Sequence, residues 1–306
     1  MKVLITGASG FAGTWLAREL EGHGHQARAF PSHDRIDLTD ADAVESVIRA
    51  ASPDAVAHLA AVAFGPDAAR DPALALQVNV GGTIALCEAL RRLAVPPLLL
   101  VAGSSDAYGY PDPSDLPLSE SAPLRPRSTY GLSKAAQEAV ALAAASRHDL
   151  RVVVVRSFNH SGPGQREVFV LPALARRVVD LQRGIADVIP VGNLDVRRDF
   201  TDVRDIVRAY RLLLEAGAAG RTAARGAVFN VASGRSVAIR RLLQELCELA
   251  GVEPQMAVDP ALVRPDDPPE ILGDASALRE ATGWRPVITR RQTLSDLLAH
   301  AALMVR

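Results

Sequence analysis

Residues 3–13 leave this chain few folds to choose from. Val3-Leu-Ile-Thr6 is a short apolar run that feeds directly into Gly7-x-x-Gly10-x-x-Gly13, and Thr14 to Gly22 then reads as a helix ending at a glycine. A lone glycine triplet carries little weight; a strand before it and a helix after it give it force. Glycines there permit a tight turn, bring backbone against a pyrophosphate with no Cβ in the way, and let helix and sheet pack closely. The helix N-terminus adds unpaired N–H donors and the positive end of its dipole. Gly7, Gly10 and Gly13 are therefore read as a dinucleotide-binding loop.

The rest of the first half repeats the alternation. Strands are expected at Gln26–Phe30, Ala55–Ala60, Leu98–Ala102 and Arg151–Arg156. Helices are expected at Asp40–Ala51, with Thr39 or Asp40 as cap, at Ala73–Ala94, and around Tyr130. Short apolar β-branched strands separated by helices imply a parallel sheet covered on both faces. After Asn159 the pattern loosens, with prolines and glycines breaking Gly162–Val196 and a Pro- and Asp-rich stretch at Asp259–Gly273. Between them Val228–Val231 reads as one more core strand. The expected fold is α/β: a Rossmann-type doubly wound parallel sheet with a smaller, interleaved α/β substrate-binding lobe. Residues 1–160 and 195–233 are assigned to the NAD(P)-binding part, and 161–194 and 234–306 to the lobe.

Composition limits the partners. A net charge of −1 over 306 residues gives no electrostatic case for nucleic acid or an anionic membrane. Cys87 and Cys247 sit in apolar helical patterns with no CxxC or Cys/His cluster, so neither a disulfide nor a metal site is expected. The N-terminus starts as a strand without a signal-like region, and no stretch reads as the ~18 apolar residues of a membrane span. The expected compartment is the cytoplasm. Arg240-Arg241 and Arg290-Arg291 read as solvated helix faces.

Chemistry enters with Tyr130 and Lys134, in Ser128-Thr-Tyr-Gly-Leu-Ser-Lys134. A phenol four residues before an ammonium shares its helix face, and the ammonium is expected to favour the phenolate. Alone, the spacing is weak. Ser104 strengthens it, because it follows the strand Leu98–Ala102, and ligands of such sheets bind at the carboxyl ends of the strands. Ser104 there could hydrogen-bond a substrate oxygen that Tyr130 protonates or deprotonates. Lys134 could hold both the phenolate and a nicotinamide ribose, as general acid/base work coupled to hydride transfer requires.

These residues, with Asp37-Leu-Thr-Asp40, His58-Leu-Ala-Ala61 and Asn79-Val-Gly-Gly-Thr83, resemble the extended short-chain dehydrogenase/reductase family over essentially the whole chain. Arg156-Ser-Phe-Asn-His-Ser-Gly-Pro-Gly-Gln165, Val191–Asp195, Arg198–Tyr210, Arg264-Pro265 and Thr282–Pro286 are similar to its GDP-mannose 4,6-dehydratase and GDP-6-deoxy-4-ketohexose reductase branch. The resemblance implies a GDP-sugar substrate, with Phe11, Asp37, Leu38, Leu59, Ala60 and Ala61 joining the glycines, Tyr130 and Lys134 around the cofactor. It points Asn159, Arg166, Arg198 and Arg264 at the substrate, where guanidinium groups could clamp a diphosphate. Asp199, Asp202 and Asp205 are read as caps and structural partners. The resemblance also implies a homodimer through a four-helix interface, built from the helices that start near Ala73 and Tyr130.

Asp106 bears on which reaction is run. The dehydratases of this branch use a Glu two residues beyond the catalytic Thr or Ser; here the residue is Asp, one methylene shorter, and a misplacement near 1 Å can cost on the order of 100-fold. Gly10-Phe-Ala-Gly13 also lacks the Gln-Asp usual in GDP-mannose dehydratases. The expected activity is reduction of the C4 keto group of a GDP-4-keto-6-deoxyhexose, giving GDP-D-rhamnose or its C4 epimer, with Tyr130 as proton donor. A GDP-mannose 4,6-dehydratase, another nucleotide-sugar epimerase or reductase, and a non-catalytic cofactor-binding protein are the alternatives. After the second strand, Ala29-Phe-Pro-Ser32 has no acidic residue for the ribose of NAD. NADP(H) is the expected cofactor and NAD(H) the alternative.

Overall fold

The computed structural model describes residues 1–220, 225–253, 255–263 and 267–304. Six strands, β1 (Lys2–Thr6), β2 (Gln26–Ala29), β3 (Ala55–His58), β4 (Leu98–Ala102), β5 (Val152–Ser157) and, later in the chain, β9 (Arg225–Val231), form one sheet in the order β2-β1-β3-β4-β5-β9. All its pairings are parallel. The order reverses beside β1, which opens a crevice at the carboxyl ends of the strands.

Period-two alternation divides each strand between the two faces. Val3 and Ile5 pack with α1 (Phe11–Gly22) and α8 (Val203–Ala218), and that core also encloses Trp284, Tyr108 and Phe158. Leu4 faces the other way, towards α2 (Ala41–Ala51), α5 (Gly82–Arg91) and α6 (Thr129–His148). Three of the helix starts along the sheet are capped by side chains. Asp40 accepts from the N–H groups of Asp42 and Ala43, Ser128 from Gly131, and Asp202 from Arg204.

The helix expected at Ala73–Ala94 is interrupted. After α3 (Gly65–Arg70) and α4 (Pro72–Leu76), Gln77–Gly81 makes one π turn before α5 begins, and α5 ends at Arg91, ahead of Pro96 and Pro97. The π turn turns Asn79 inward, where its side chain bonds Val62 N–H and the Ser133 hydroxyl. Contrary to the sequence expectation, Pro72–Arg91 is long and apolar enough for a membrane span by length and composition. Half of it is buried inside the protein, against α2 and α6, as befits a core helix.

Two smaller sheets follow. β8 (Arg197–Asp202) pairs with β6 (Asn159–Ser161), β10 (Ser236–Ala238) and β12 (Glu270–Ile271), and β7 (Ile189–Val191) pairs with β11 (Met256–Val258). The stretch that looked broken in sequence contains a helix, α7 (Val170–Gln182), because Pro172 falls in its first turn, where no intrahelical N–H is needed. With α9 (Ile239–Ala250) and α11 (Arg290–Met304), α7 encloses a separate apolar cluster. The short α10 (Ser276–Thr282) leads into the buried Trp284, whose indole N–H donates to the Asp205 carbonyl. Cys87 on α5 and Cys247 on α9 are buried free thiols.

Candidate active site

The glycine loop is held by contacts a side chain would destroy. Gly7 has φ +70°, and a Cβ there would lie 2.8 Å from the Ala60 nitrogen. A Cβ on Gly13 would lie 2.1 Å from the Gly7 carbonyl oxygen. The loop thus folds tightly onto α1 and onto the segment after β3. Gly10 caps α1 without a side-chain hydrogen bond, and the first turn carries no acidic residue. Its leading N–H groups are free for an anion.

Around that loop, Leu59 and Ala60 donate their N–H groups to the Thr6 hydroxyl, and Ala61 follows on the same partly exposed edge. Asp37 is exposed and accepts from both the N–H and the hydroxyl of Thr39, which hold its pKa low. Leu38 lies over Gly82 at the start of α5. Phe11 stacks parallel on His160, with centroids 6.2 Å apart, and the Trp15 indole N–H donates to the Pro163 carbonyl. These contacts tie the glycine loop to the segment after β5.

Ser104, Asp106, Tyr130 and Lys134 converge at the end of β4. Ser104 accepts from the Asp106 N–H in the 3₁₀ turn that follows the strand, and its hydroxyl is within hydrogen-bonding reach of Tyr130. Gly131 makes this approach feasible, since a Cβ on it would sit 2.5 Å from the Asp106 carbonyl oxygen. Lys134 is 4% exposed; its ammonium donates to the Ala102 carbonyl at 2.8 Å and to Gln137 Oε1 at 2.9 Å.

The electrostatics reverse one expectation. The Tyr130 phenol is not lowered. Its crowded surroundings push its pKa up and the Asp106 carboxylate adds to this, against a smaller opposing effect of the Ser104 hydrogen bond. Lys134 sits 6.0 Å from the Tyr130 ring centroid and turns its protons to Ala102 and Gln137. Burial pulls the Lys134 pKa down to about 7. At neutral pH the phenol therefore keeps its proton.

The residues expected to face the substrate do not gather as one set. Asn159 lies at the start of β6, opposite Phe200, at the same strand ends as Ser104. Arg166 is exposed, with its guanidinium over the rings of Phe64 and Phe169 and 3.8 Å from Asp67. Arg198 is 8% exposed and is ion-paired with Asp267, so it is not a free clamp. Arg264 lies outside the described residues. Asp199 accepts from the Ser233 and Gly234 N–H groups, and Asp205 from those of Val287 and Ile288. Both act as loop anchors, and Asp202 caps α8.

Sequence reasoning missed two supports of α6. Glu138 takes a buried bidentate pair from Arg156, and Gln137 holds Lys134. Both lie within four residues of Lys134, which was the available signal.

Comparison with known proteins agrees with this geometry. The pattern of the NAD dependent epimerase/dehydratase family matches residues 3–232. GDP-6-deoxy-D-mannose reductase of Pseudomonas aeruginosa is 37% identical, over 100% of this chain and 98% of its own. GDP-6-deoxy-D-talose 4-dehydrogenase of Aggregatibacter actinomycetemcomitans is 31% identical, over 92% of each chain. The structure of RMD from Pseudomonas aeruginosa complexed with NADPH superimposes with a TM-score of 0.90 at 36% identity, covering 99% of both chains. The chain therefore belongs to the NAD dependent epimerase/dehydratase family, as an oxidoreductase of the extended short-chain dehydrogenase/reductase type.

Proposed function

We propose that this enzyme reduces the C4 keto group of a GDP-4-keto-6-deoxyhexose with NADPH, giving GDP-D-rhamnose or its C4 epimer. The reading is carried by the convergence of Ser104, Tyr130 and Lys134 at the carboxyl end of β4, where the phenol can give its proton to a carbonyl oxygen. A ketone reduction needs a proton donor at that place, whereas alcohol oxidation needs the phenolate. The similarity to GDP-6-deoxy-D-mannose reductase supports the substrate class, and the similarity to a GDP-6-deoxy-D-talose 4-dehydrogenase keeps the epimer in view.

The glycine loop fits a dinucleotide: its closeness to α1 and Ala60 leaves no room for a Cβ, and the uncapped helix start faces the crevice. When bound there, NADPH supplies the hydride. Gly7, Gly10 and Gly13 cradle the pyrophosphate, and Phe11, Asp37, Leu38, Leu59, Ala60 and Ala61 line the remaining length. Ser104 hydrogen-bonds the substrate carbonyl oxygen, Tyr130 donates its proton to the developing alkoxide, and Lys134 holds the ribose with its remaining N–H. Asn159 and Arg166 contact the substrate. Arg198, tied to Asp267, shapes the site indirectly.

Asp106 adds to the burial that raises the Tyr130 pKa, and it is exposed. It is the residue a 4,6-dehydratase would use as a base, which keeps that reading as the second one. We assign residues 1–160 and 195–233 to the cofactor part and the rest to the substrate lobe, place the enzyme in the cytoplasm, and infer a homodimer. Leu74, Leu76, Ile84 and Leu132 are exposed along α4, α5 and α6, where a four-helix interface would cover them. The test supplies GDP-4-keto-6-deoxymannose with NADPH or NADH, and separately GDP-mannose with catalytic NADP⁺. Reduction in the first arm is expected; turnover in the second arm alone overturns the reading.

A further inference from the structure

Lys2 and Lys134 are the only lysines in the sequence; every other basic side chain of the Lys/Arg class is arginine. An arginine does not lose its charge in a protein, whereas a buried lysine can. The one lysine away from the N-terminus is also the one most tightly enclosed. Its surroundings form a chain of buried side chains in which each hydrogen has a single place to go.

Lys134 donates to Gln137 Oε1, and the Gln137 amide nitrogen donates to the Thr83 hydroxyl oxygen at 3.0 Å. The Thr83 hydroxyl spends its own proton on the Asn79 carbonyl at 2.8 Å, so its oxygen only accepts from other neighbours. His58 Nε2 lies 3.0 Å from that oxygen and must carry the hydrogen there. Its Nδ1 then accepts from the Thr6 hydroxyl at 2.8 Å, and Thr6 Oγ1 accepts the N–H groups of Leu59 and Ala60. With both lone pairs and the proton of Thr83 committed, Gln137 cannot turn its amide over. Its oxygen is locked towards Lys134.

We propose that Gln137 is a positioning residue for Lys134, fixed by a one-way chain of buried hydrogen bonds that reaches back to the floor of the glycine loop. The proposal rests on the role given to Lys134 above. With Ala102 and Gln137 taking two of its protons, the third is left for the crevice. His58, Thr83 and Gln137 are all fully buried, and burial, with the Lys134 charge, lowers the His58 pKa to about 3, so the imidazole stays neutral and its tautomer stays fixed. The chain ends at Ala60, which also packs on Gly7. The setting of the ammonium and the setting of the cofactor loop are thus one construction.

The titratable groups around Lys134 are few. Tyr130 lies on α6 itself, His58 on β3 and Asp106 on the turn after β4. Glu138 of α6 is consumed by Arg156 of β5, Asp67 of α3 by Arg70, and Glu88 of α5 by Arg91.

Because the chain has two lysines, full-length protein labelled with [6-¹³C]lysine gives two titrating signals, with Lys2 at the far end of β1 as internal reference. The cofactor-free and NADPH-saturated forms are titrated for wild type, Gln137→Met, Gln137→Glu and Thr83→Val, with circular dichroism to select folded variants. Gln137→Met removes an acceptor from the ammonium and should lower the Lys134 midpoint by about one pH unit; Gln137→Glu places an anion there and should raise it by a similar amount. Thr83→Val frees the amide to turn and should move the midpoint in the direction of Gln137→Met. The pH limb of kcat for the keto sugar should follow each shift. Midpoints coinciding with wild type in the folded variants would overturn the proposal. Absence of ketone reduction by wild type, with the midpoint shifts intact, would retire the reductase reading and leave Gln137 as the residue that sets Lys134.

Discussion

Arg156 and Glu138 form a buried bidentate pair, with Nη2–Oε1 at 2.5 Å and Nε–Oε2 at 2.9 Å, that joins β5 to the helix carrying Tyr130 and Lys134. The remaining guanidinium nitrogen donates to the Tyr108 hydroxyl and the Glu120 carbonyl, so every side of the cation is occupied. Removing one partner leaves an uncompensated buried charge, which typically costs about 3–5 kcal/mol. Arg156→Met should lose stability on that scale in denaturant unfolding, with Glu138→Gln losing less. A loss within about 0.5 kcal/mol, the range of an ordinary surface substitution, would mean the pair does not anchor α6.

Gly13→Ala tests the cofactor loop. The added Cβ would lie 2.1 Å from the Gly7 carbonyl, a backbone atom that cannot step aside. NADPH affinity, read from quenching of Trp15 beside the loop, should fall by at least about 100-fold, or roughly 2.7 kcal/mol. Undiminished affinity would place the dinucleotide elsewhere.

Two buried bases set a pH dependence whose sign can be worked out. Lys134 is lowered from 10.5 to about 7, so between those values the unfolded chain holds a proton that the folded protein has released. Stability from this group rises with pH across that window. His58, lowered from 6.5 to about 3, makes stability fall as pH drops from 6.5 towards 3. Unfolding free energies of wild type minus Lys134→Met should rise between pH 7 and 10, and those of wild type minus His58→Asn should fall between pH 6.5 and 3. A flat difference in either window would show that the group is not perturbed by burial.

Asp106→Asn distinguishes the two readings of the reaction. The carboxylate raises the Tyr130 pKa, so its loss should move the alkaline limb of ketone reduction to lower pH while kcat at neutral pH changes less than about 10-fold. Collapse of a GDP-mannose dehydration activity in the same variant would make Asp106 a base and the enzyme a dehydratase.

Much of this was legible in the sequence, and the exceptions share a cause. Most of the parallel strands announced themselves as short apolar runs, and the glycine loop by its place between β1 and α1. The helix α7 was hidden by Pro172, because composition does not tell a proline in a first turn from one that breaks a helix. The π turn at Gln77–Gly81 was invisible because the bonds Asn79 makes from it, to Val62 and Ser133, join residues distant in sequence. Arg198 was read as a clamp because sequence shows the charge and not its partner, Asp267. The phenol of Tyr130 was expected to be acidic because helix spacing brings Lys134 near, whereas burial and Asp106 dominate.

The central claim is ketone reduction with Tyr130 as donor, and deuterium transfer tests it most directly. GDP-4-keto-6-deoxymannose is incubated with NADPH deuterated at both C4 positions and wild type or Tyr130→Phe, and the product is read by NMR. Wild type should place one deuterium at C4 of a GDP-6-deoxyhexose for each NADPH consumed, and Tyr130→Phe should bind NADPH normally while its rate falls by about 10²–10⁴-fold. No deuterium at C4, or a wild-type rate in Tyr130→Phe, would contradict it.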